Sequence, residues 1–557
     1  MPTTWIHPLS AETEEGADVL GGKGHGLVVL RRLGLPVPPG FVIGTGACRA
    51  FLRDGRLPDG LGAELAAAVR DLEAATRRRF GGPGRPLAVS VRSGGSVSMP
   101  GMMNTLLNVG LTAEAAAGLA AETGDARFAL DARLRSLSGF ASAVAGVAPE
   151  QLDAVVREAA GRAPGGGRRH LAGAIRSVEA LIRARAAGPV PGDATRQLEL
   201  AVGAVFSSWD TPRARTYREL HGIPHDLGTA VTVQAMVFGN RDERSGTGVV
   251  FSRDPTTGEN VPFGDVLFGR QGEDVVSGRW ATRPPAELAG REPAVWAGLV
   301  EALDRVEGHY RDACQVEFTF EAGELWLLQV RPGGLSGRAA VRVAVDLADE
   351  GLIGRREALL RVSPRQLRQA RTPRTETTGT RDLLARGLGA CPGVATGRVA
   401  TTADGAVRMA AGGPVILVRP HTSPLDMHGL AASAGIVTSC GGPASHAAVV
   451  ARAMGRPAVV GAADLTVDAA AGCVRVGGRT IPEGTLVTVD GTGGEVLAGR
   501  PRIVTAPVGP HLDRLLGWAD EISGGGPDRG DEERLTAARA VLLNRGGAPP
   551  DGRDGHR

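Results

Sequence analysis

The sequence predicts a multidomain chain of mixed α/β and α+β class. Three observations predict it. Its 557 residues, at about 100–200 residues per domain, make roughly three or four domains. Short β runs punctuated by Gly and Pro recur along the chain, with an Ala/Arg/Leu-rich stretch of helical spacing between them. Hydrophobic residues make up 42%, enough to bury several cores.

The elements follow in order. Residues 1–110 alternate apolar runs with short helical patterns, and LAVSVRS (87–93) reads as a strand entering a Gly-rich loop. Residues 111–200 carry AEAAAGLAAE, RFALDARLRSLSGFA and PEQLDAVVREAAG, whose 3.6-type spacing predicts a helical insert, broken by APGGGRR at 163–169. Residues 228–334 return to strands in TAVTVQAMVF, GTGVVFS, QVEFTF and LWLLQV. Residues 336–385 are helical and Arg-rich, and end in RTPRTETTGTRD, which reads as a linker. Residues 386–500 are short β runs with Gly turns, and one helix begins near Ser445. The last segment holds helices in HLDRLLGWADEI and EERLTAARAVLL, then a polar Gly/Pro/Asp tail that reads as disordered. No internal repeat is visible.

Charge and cysteine usage exclude several classes. The net charge is +3, from 63 basic and 60 acidic residues, which excludes a strongly basic nucleic-acid binder and an acidic tail protein. Five cysteines (48, 314, 391, 440, 473) form no CxxC pair and no disulfide framework. No run of about 18 apolar residues exists to span a membrane. The N-terminus, MPTTWIHPLSAETEEGADVL, has none of the basic and apolar regions of a signal peptide. A soluble cytoplasmic protein is the expectation.

Lys23 is the only lysine, set in Gly21-Gly22-Lys23-Gly24. Chance is one reading, since a lone lysine must sit somewhere. The other is a position that needs a compact ammonium rather than a planar fork, as a phosphate site would. No GxxxxGK[ST] is present, which excludes a P-loop, and no GxGxxG follows an early strand with a partner acid. Arg92-Ser93-Gly94-Gly95-Ser96 follows a strand; small residues let backbone N–H groups approach an anion, and Arg92 can grip phosphate bidentately. An ordinary surface loop is the competing reading. Glu317 and Gln329 flank a hairpin in VEFTFEAGELWLLQVR, and their oxygens would suit Mg²⁺ beside a triphosphate; taken alone, they read first as a solvated hairpin edge. In Ser439-Cys440-Gly441-Gly442-Pro443-Ala444-Ser445-His446, a strand runs into a Gly-Gly loop and Ser445 caps a helix. His446 then sits in the first helical turn, where the positive end of the helix favours a phosphoryl group and a histidine nucleophile is apt. A capping or core histidine is the alternative.

Together these segments resemble the pyruvate phosphate dikinase family, within the wider group of phosphoenolpyruvate-utilising enzymes. The matching stretches include GGKGHGLVVLRRLGLPVPPGFVI, SVRSGGSVSMPGMMNTLLNVGL, SGTGVVFSRDPTTGE, QGEDVVSG, VEFTFEAGELWLLQVRPG, VRPHTSPLDMHGL and GIVTSCGGPASHAAVVARAMGRPAVVG, in family order from about residue 18 to 500. The resemblance implies an ATP-grasp-like nucleotide-binding domain (1–110 and 201–335) with a helical insert (111–200) and a helical linker (336–385). It also implies a swivelling phospho-histidine domain (386–508) and a remnant of the opening of a barrel (509–557). It implies that ATP passes a pyrophosphoryl group to His446, that inorganic phosphate removes the outer phosphoryl, and that phospho-histidine remains. Lys23 and Arg92 would hold the ATP phosphates and assist the chemistry, under a loop of Gly101, Met102, Met103, Asn104 and Thr105. Arg135, Glu273, Gln329 and Arg331 would complete the nucleotide site, with Gln234, Met236 and Val237 beside the adenine. Glu317 and Gln329 would hold Mg²⁺.

Three departures from the family pattern matter. Gln315-Val316-Glu317 stands where the family has Asp-Ile-Glu, so one carboxylate beside Mg²⁺ is replaced by an amide. Ala444 stands where plant forms carry a regulatory threonine. Beyond residue 508 fewer than 50 residues follow, against about 250 for the family's pyruvate barrel. Three functions compete on this reading. One is a half-enzyme that charges His446 and passes the phosphoryl to pyruvate on a separate barrel subunit. Another is a phosphotransferase for a different small-molecule or protein acceptor. The third is a catalytically weakened nucleotide-binding regulator. Homodimer and hetero-complex both stay open. The swivel would turn on the segment 372–382 and on Gly387-Leu388-Gly389.

Overall fold

The computed structural model describes residues 4–545, apart from 98, 100–101, 162–166, 187, 277, 279, 372, 376–382 and 506–508. The polar tail, and most of the expected hinge segment 372–382, therefore lie outside the described residues. The chain divides into two compact units. One comprises residues 1–245 and 319–330, and the other 246–318 and 331–557. Among the described residues, no helix is long and apolar enough to cross a membrane.

The first unit is built on a five-stranded antiparallel sheet. Its strands are β1 (Ile6–Pro8), β2 (Gly40–Ile43), β3 (Val89–Gly94), β4 (Thr105–Val109) and β5 (Ala230–Ala235), in spatial order β1-β2-β5-β3-β4. Alternation along β3 and β5 sorts the side chains. Val89, Val91, Val231 and Val233 enter the core, against Leu65, Val69 and Leu72 of helix α2 (Leu61–Thr76). Ser90, Arg92, Thr232 and Gln234 fall on the opposite face. The antiparallel register pairs Arg92 with Thr232 and Ser90 with Gln234. Helix α1 (Ala17–Arg32) is the long helix between β1 and β2. The insert is helical as expected: Ala113–Thr123, α3 (Ala126–Ala143), Pro149–Gly161, Arg168–Arg185 and α4 (Ala194–Ser208). Thr112, Asp125 and Asp193 cap three of these by accepting backbone N–H groups.

The second unit begins with the hairpin of β6 (Gly246–Phe251) and β7 (Phe263–Phe268), with β8 (Cys314–Glu321) beside β6. The chain returns through β9 (Glu324–Pro332). Between β7 and β8 lies helix α5 (Pro293–Tyr310), and after β9 comes α6 (Gly337–Asp349). These pieces are locked by an ion triad. The Arg253 guanidinium, 1% exposed, reaches Glu307 at 2.6 Å and Glu350 at 2.6 Å. Burial opposes its charge, but the hydrogen bonds it donates to Glu350 and Glu307 outweigh burial and raise its pKa. Removing one member leaves a buried charge uncompensated. Arg253→Ala is expected to cost about 3–5 kcal/mol, read as a lower urea midpoint.

An eight-stranded mixed sheet follows. Its strands are β10 (Leu383–Arg386), β11 (Leu388–Cys391), β12 (Val394–Ala400), β13 (Val415–Arg419), β14 (Gly435–Thr438), β15 (Ala458–Val460), β16 (Leu486–Asp490) and β17 (Glu495–Ala498). The spatial order is β10-β17-β16-β12-β13-β14-β15-β11, and β12 to β15 run parallel. Apolar side chains cover both faces, as a parallel sheet requires. The helix after β14, α7 (His446–Met454), therefore starts at the carboxyl edge of the parallel strands. The last two helices, α8 (Pro510–Ser523) and α9 (Asp531–Arg545), form as the periodicity predicts. Leu515, Leu516, Trp518 and Leu535 bury against Val341, Val345 and Leu347 of α6.

Candidate active site

In the first unit, glycine brings Lys23 to the end of β3. Helix α1 is kinked at Gly21, whose φ of 66° and ψ of 162° suit only glycine. A Cβ there would lie 1.6 Å from the Gly94 carbonyl oxygen. The Gly22 N–H donates to the Gly95 carbonyl at 2.9 Å. A Cβ on Gly94 would come within 3.2 Å of the Lys23 Cβ. The Gly-Gly pairs in the two motifs thus exist for each other: they seat the start of the regular helix, with Lys23, on the loop that follows Arg92. Arg92 is flanked in the sheet by Thr105 on β4 and Thr232 on β5.

The rest of the expected nucleotide set in this unit is placed as follows. Gly101 lies outside the described residues. Met102 is buried, and its carbonyl accepts from Arg213 at 3.2 Å. The Asn104 N–H donates to Ser208 Oγ, and its side-chain amide donates to the Ala204 carbonyl. Ser208 Oγ also approaches Met103 Sδ at 3.8 Å. The loop is therefore pinned on α4 and on the helix Pro212–His221. Arg135 pairs with Asp131 at 3.0 Å, and Asn240 reaches the same carboxylate. The segment after β5 is held by backbone: the Met236 N–H donates to Ala88, and the Phe238 N–H, next to Val237, donates to Glu321 Oε2 at 2.8 Å. Gln234 is buried, with its Nε2 on the Pro38 carbonyl. Gln329 on β9 is also buried. Gln234 Oε1 and Thr232 Oγ1 are buried without a hydrogen-bond partner. Such orphans are uncommon, and a polar ligand on this face would satisfy them.

In the second unit are Glu273, exposed on the short helix Gly272–Val276, and Glu317 and Arg331, paired at 3.9 Å. Glu317 and Gln315 are neighbours on one face of β8, so an amide sits beside the expected metal carboxylate. Among the described residues, no cluster of three His, Cys, Asp or Glu could hold a metal by itself.

His446 is the first residue of α7. The Ser445 side chain accepts the Ala448 N–H, and Gly455 ends the helix in the left-handed conformation. His446 Nδ1 lies 3.0 Å from Thr422 Oγ1. Its Nε2 is buried and makes no hydrogen bond. Burial lowers the imidazole pKa to about 4, against a smaller opposing pull from Asp426. The ring is therefore neutral at pH 7. With the proton on Nδ1 and held by Thr422, the lone pair resides on Nε2. The loop before α7 is fastened by Asp265 of β7. Its Oδ2 accepts the Ala444 N–H at 2.7 Å, and its Oδ1 accepts Thr282 Oγ1 at 2.6 Å. A Cβ on Gly442 would fall 2.0 Å from Asp265 Oδ1. Burial raises the Asp265 pKa, partly offset by these two hydrogen bonds. Asp265, Thr282 and Thr422 were all missed by sequence reasoning.

Two family descriptions match the chain. "Pyruvate phosphate dikinase, AMP/ATP-binding domain" matches residues 17–77 and 56–287, which hold Lys23, Arg92 and Gln234. "PEP-utilising enzyme, mobile domain" matches residues 412–494, which hold Thr422 and His446. The chain belongs to the pyruvate phosphate dikinase family. It is 41% identical over 539 residues to the pyruvate, phosphate dikinase of Rhizobium meliloti (strain 1021), covering 93% of this chain and 60% of that protein. It is 42% identical over 521 residues to pyruvate, phosphate dikinase 2 of Zea mays, covering 91% and 58%. To the chloroplastic pyruvate, phosphate dikinase of Flaveria pringlei it is 41% identical over 518 residues, covering 90% and 54%. The chain thus spans 54–60% of the length of these dikinase relatives.

The low His446 pKa has a measurable consequence. An ordinary histidine protonates with a midpoint near 6.5, whereas His446 stays neutral down to about 4. An NMR titration of the imidazole should therefore show no change through pH 6.5, and a midpoint only near 4. A midpoint near 6.5 would contradict the buried, neutral ring. The stability that comes from burying a neutral histidine is present above pH 6.5 and is lost as pH falls through about 4.

Proposed function

We propose that this chain carries the donor half of a dikinase reaction: ATP phosphorylates His446 with the help of inorganic phosphate, and phospho-His446 passes its phosphoryl group to an acceptor. The observation that carries this reading is the buried, unpartnered Nε2 of a neutral histidine at a helix N-terminus. His446 Nε2 is the nucleophile, and Thr422 holds the Nδ1 proton so that the other nitrogen keeps its lone pair. The first helical N–H groups of α7 lie close to the attached phosphoryl. Lys23 and Arg92 hold the nucleotide phosphates, aided by Arg135, Glu273, Gln329 and Arg331, while the loop from Gly101 to Thr105 excludes water. Gln234, Met236 and Val237 flank the adenine. Glu317 and Gln329 would hold Mg²⁺, which neutralises phosphate charge when bound. The neutral Gln315 beside Glu317 predicts weaker magnesium binding than a second carboxylate would give.

The relatives' names point to pyruvate as acceptor, and we propose it for a complex that supplies a pyruvate site. Residues 1–110 and 201–335 act as the nucleotide domain and 386–508 as the carrier. A rapid-quench experiment tests the donor half: one turnover should yield AMP and pyrophosphate in equal amounts, with pyrophosphate dependent on added phosphate. Release of ADP with no requirement for phosphate would replace this reading with a simple kinase. Adding pyruvate to the phosphorylated chain tests the acceptor through the appearance of phosphoenolpyruvate.

A further inference from the structure

A cavity lies in the first unit, between α2 and the β1–β2 edge. It measures about 840 Å³, within the range of small-molecule sites. Leu9, Phe41, Ala68 and Leu72 supply apolar walls. The one basic group on its lining is Arg31, in the last turn of α1, about 12 Å along the helix from Lys23.

Arg31 is partly buried. Its Nε is buried and bonded to nothing, and among the described residues no carboxylate or carbonyl pairs with its guanidinium. Burial accordingly lowers its pKa with no opposing partner. Arg253, by contrast, is held by two carboxylates. The acids that share the cavity lining are committed elsewhere or exposed. Glu64 Oε2 accepts the N–H groups of Trp5 and Ile6, and Glu12 and Asp71 are exposed at the rim. A half-buried cation that no carboxylate pairs with is costly, and an anion would offset that cost. The rim carboxylates oppose a polyanion, and the walls reward an apolar body.

We infer that this cavity binds a small organic monocarboxylate with an apolar body, its carboxylate on Arg31 and its body against Leu9, Phe41 and Leu72. The site is separate from the nucleotide face and does not depend on the proposed reaction.

Calorimetric titration of the whole chain with 4-phenylbutyrate tests it. Saturable binding is expected, and Arg31→Gln should weaken it on the order of 10- to 100-fold. The neutral analogue 4-phenylbutanol should bind the wild type and Arg31→Gln alike, and more weakly than the acid binds the wild type. Ala68→Trp, which fills the cavity, should remove both. ATP binding should be unchanged in each variant, which reports an intact unit. Equal affinity of 4-phenylbutyrate for wild type and Arg31→Gln would overturn the inference. So would no saturable binding to the wild type, or displacement of 4-phenylbutyrate by inorganic phosphate.

Discussion

Replacing His446 by asparagine is expected to abolish ATP-dependent phosphorylation of the chain, by at least about a thousandfold, as the loss of a covalent nucleophile does. The substitution is chosen for what it keeps. An asparagine amide can still hydrogen-bond Thr422 Oγ1, which lies 3.0 Å from the native Nδ1. It removes only the second nitrogen, the buried Nε2 that bonds to nothing. The Ser445 cap and the Asp265 clasp on Ala444 do not involve the imidazole, so the fold of the loop should persist. The label on the wild type should behave as a phosphoramidate, lost in acid and retained in base. An unchanged melting temperature with no label separates lost chemistry from lost structure. Phosphoryl incorporation that survives in His446→Asn would move the nucleophile elsewhere.

Lys23→Ala is expected to lower the labelling rate by tens- to a thousandfold, the range for removing one preorganised charge from a transferring phosphoryl group. The seat of Lys23 matters as much as its charge. Gly21, Gly22, Gly94 and Gly95 pack too closely for any side chain at Gly21, and this places Lys23 where the regular helix begins. Lys23→Arg should recover only part of the rate, because a planar fork cannot replace a compact ammonium in so tight a seat. Lys23 is also the only lysine, so an amine reagent has one side chain and the chain terminus to modify. ATP should protect the side chain. Modification of Lys23 at the same rate with and without ATP would remove it from the nucleotide site.

Local chemistry was legible in the sequence because it is written in contiguous residues. Ser445, the apolar run AAVVARAM and Gly455 announce α7 and put His446 in its first turn. Gly21-Gly22-Lys23 and Gly94-Gly95 read as phosphate-type loops, although the sequence does not show that each pair exists to admit the other. The helices of residues 113–185 follow their periodicity. Long-range positioning was not legible. Asp265 is a lone acid in an apolar strand, and its partner Ala444 lies 179 residues away. Thr422 is one hydroxyl among many until the sheet sets it against His446 across 24 residues. The depressed pKa of His446 is likewise a property of burial, which the residues around it in sequence do not encode.

On the proposed reading, His446 accepts phosphoryl from ATP. Intact-mass spectrometry at neutral pH tests it most directly, after incubation with ATP, Mg²⁺ and inorganic phosphate, on wild type and His446→Asn side by side. A gain of one phosphoryl group is expected on the wild type alone, removed by acid. A gain on both proteins, or on neither across a range of metal and phosphate concentrations, would contradict it.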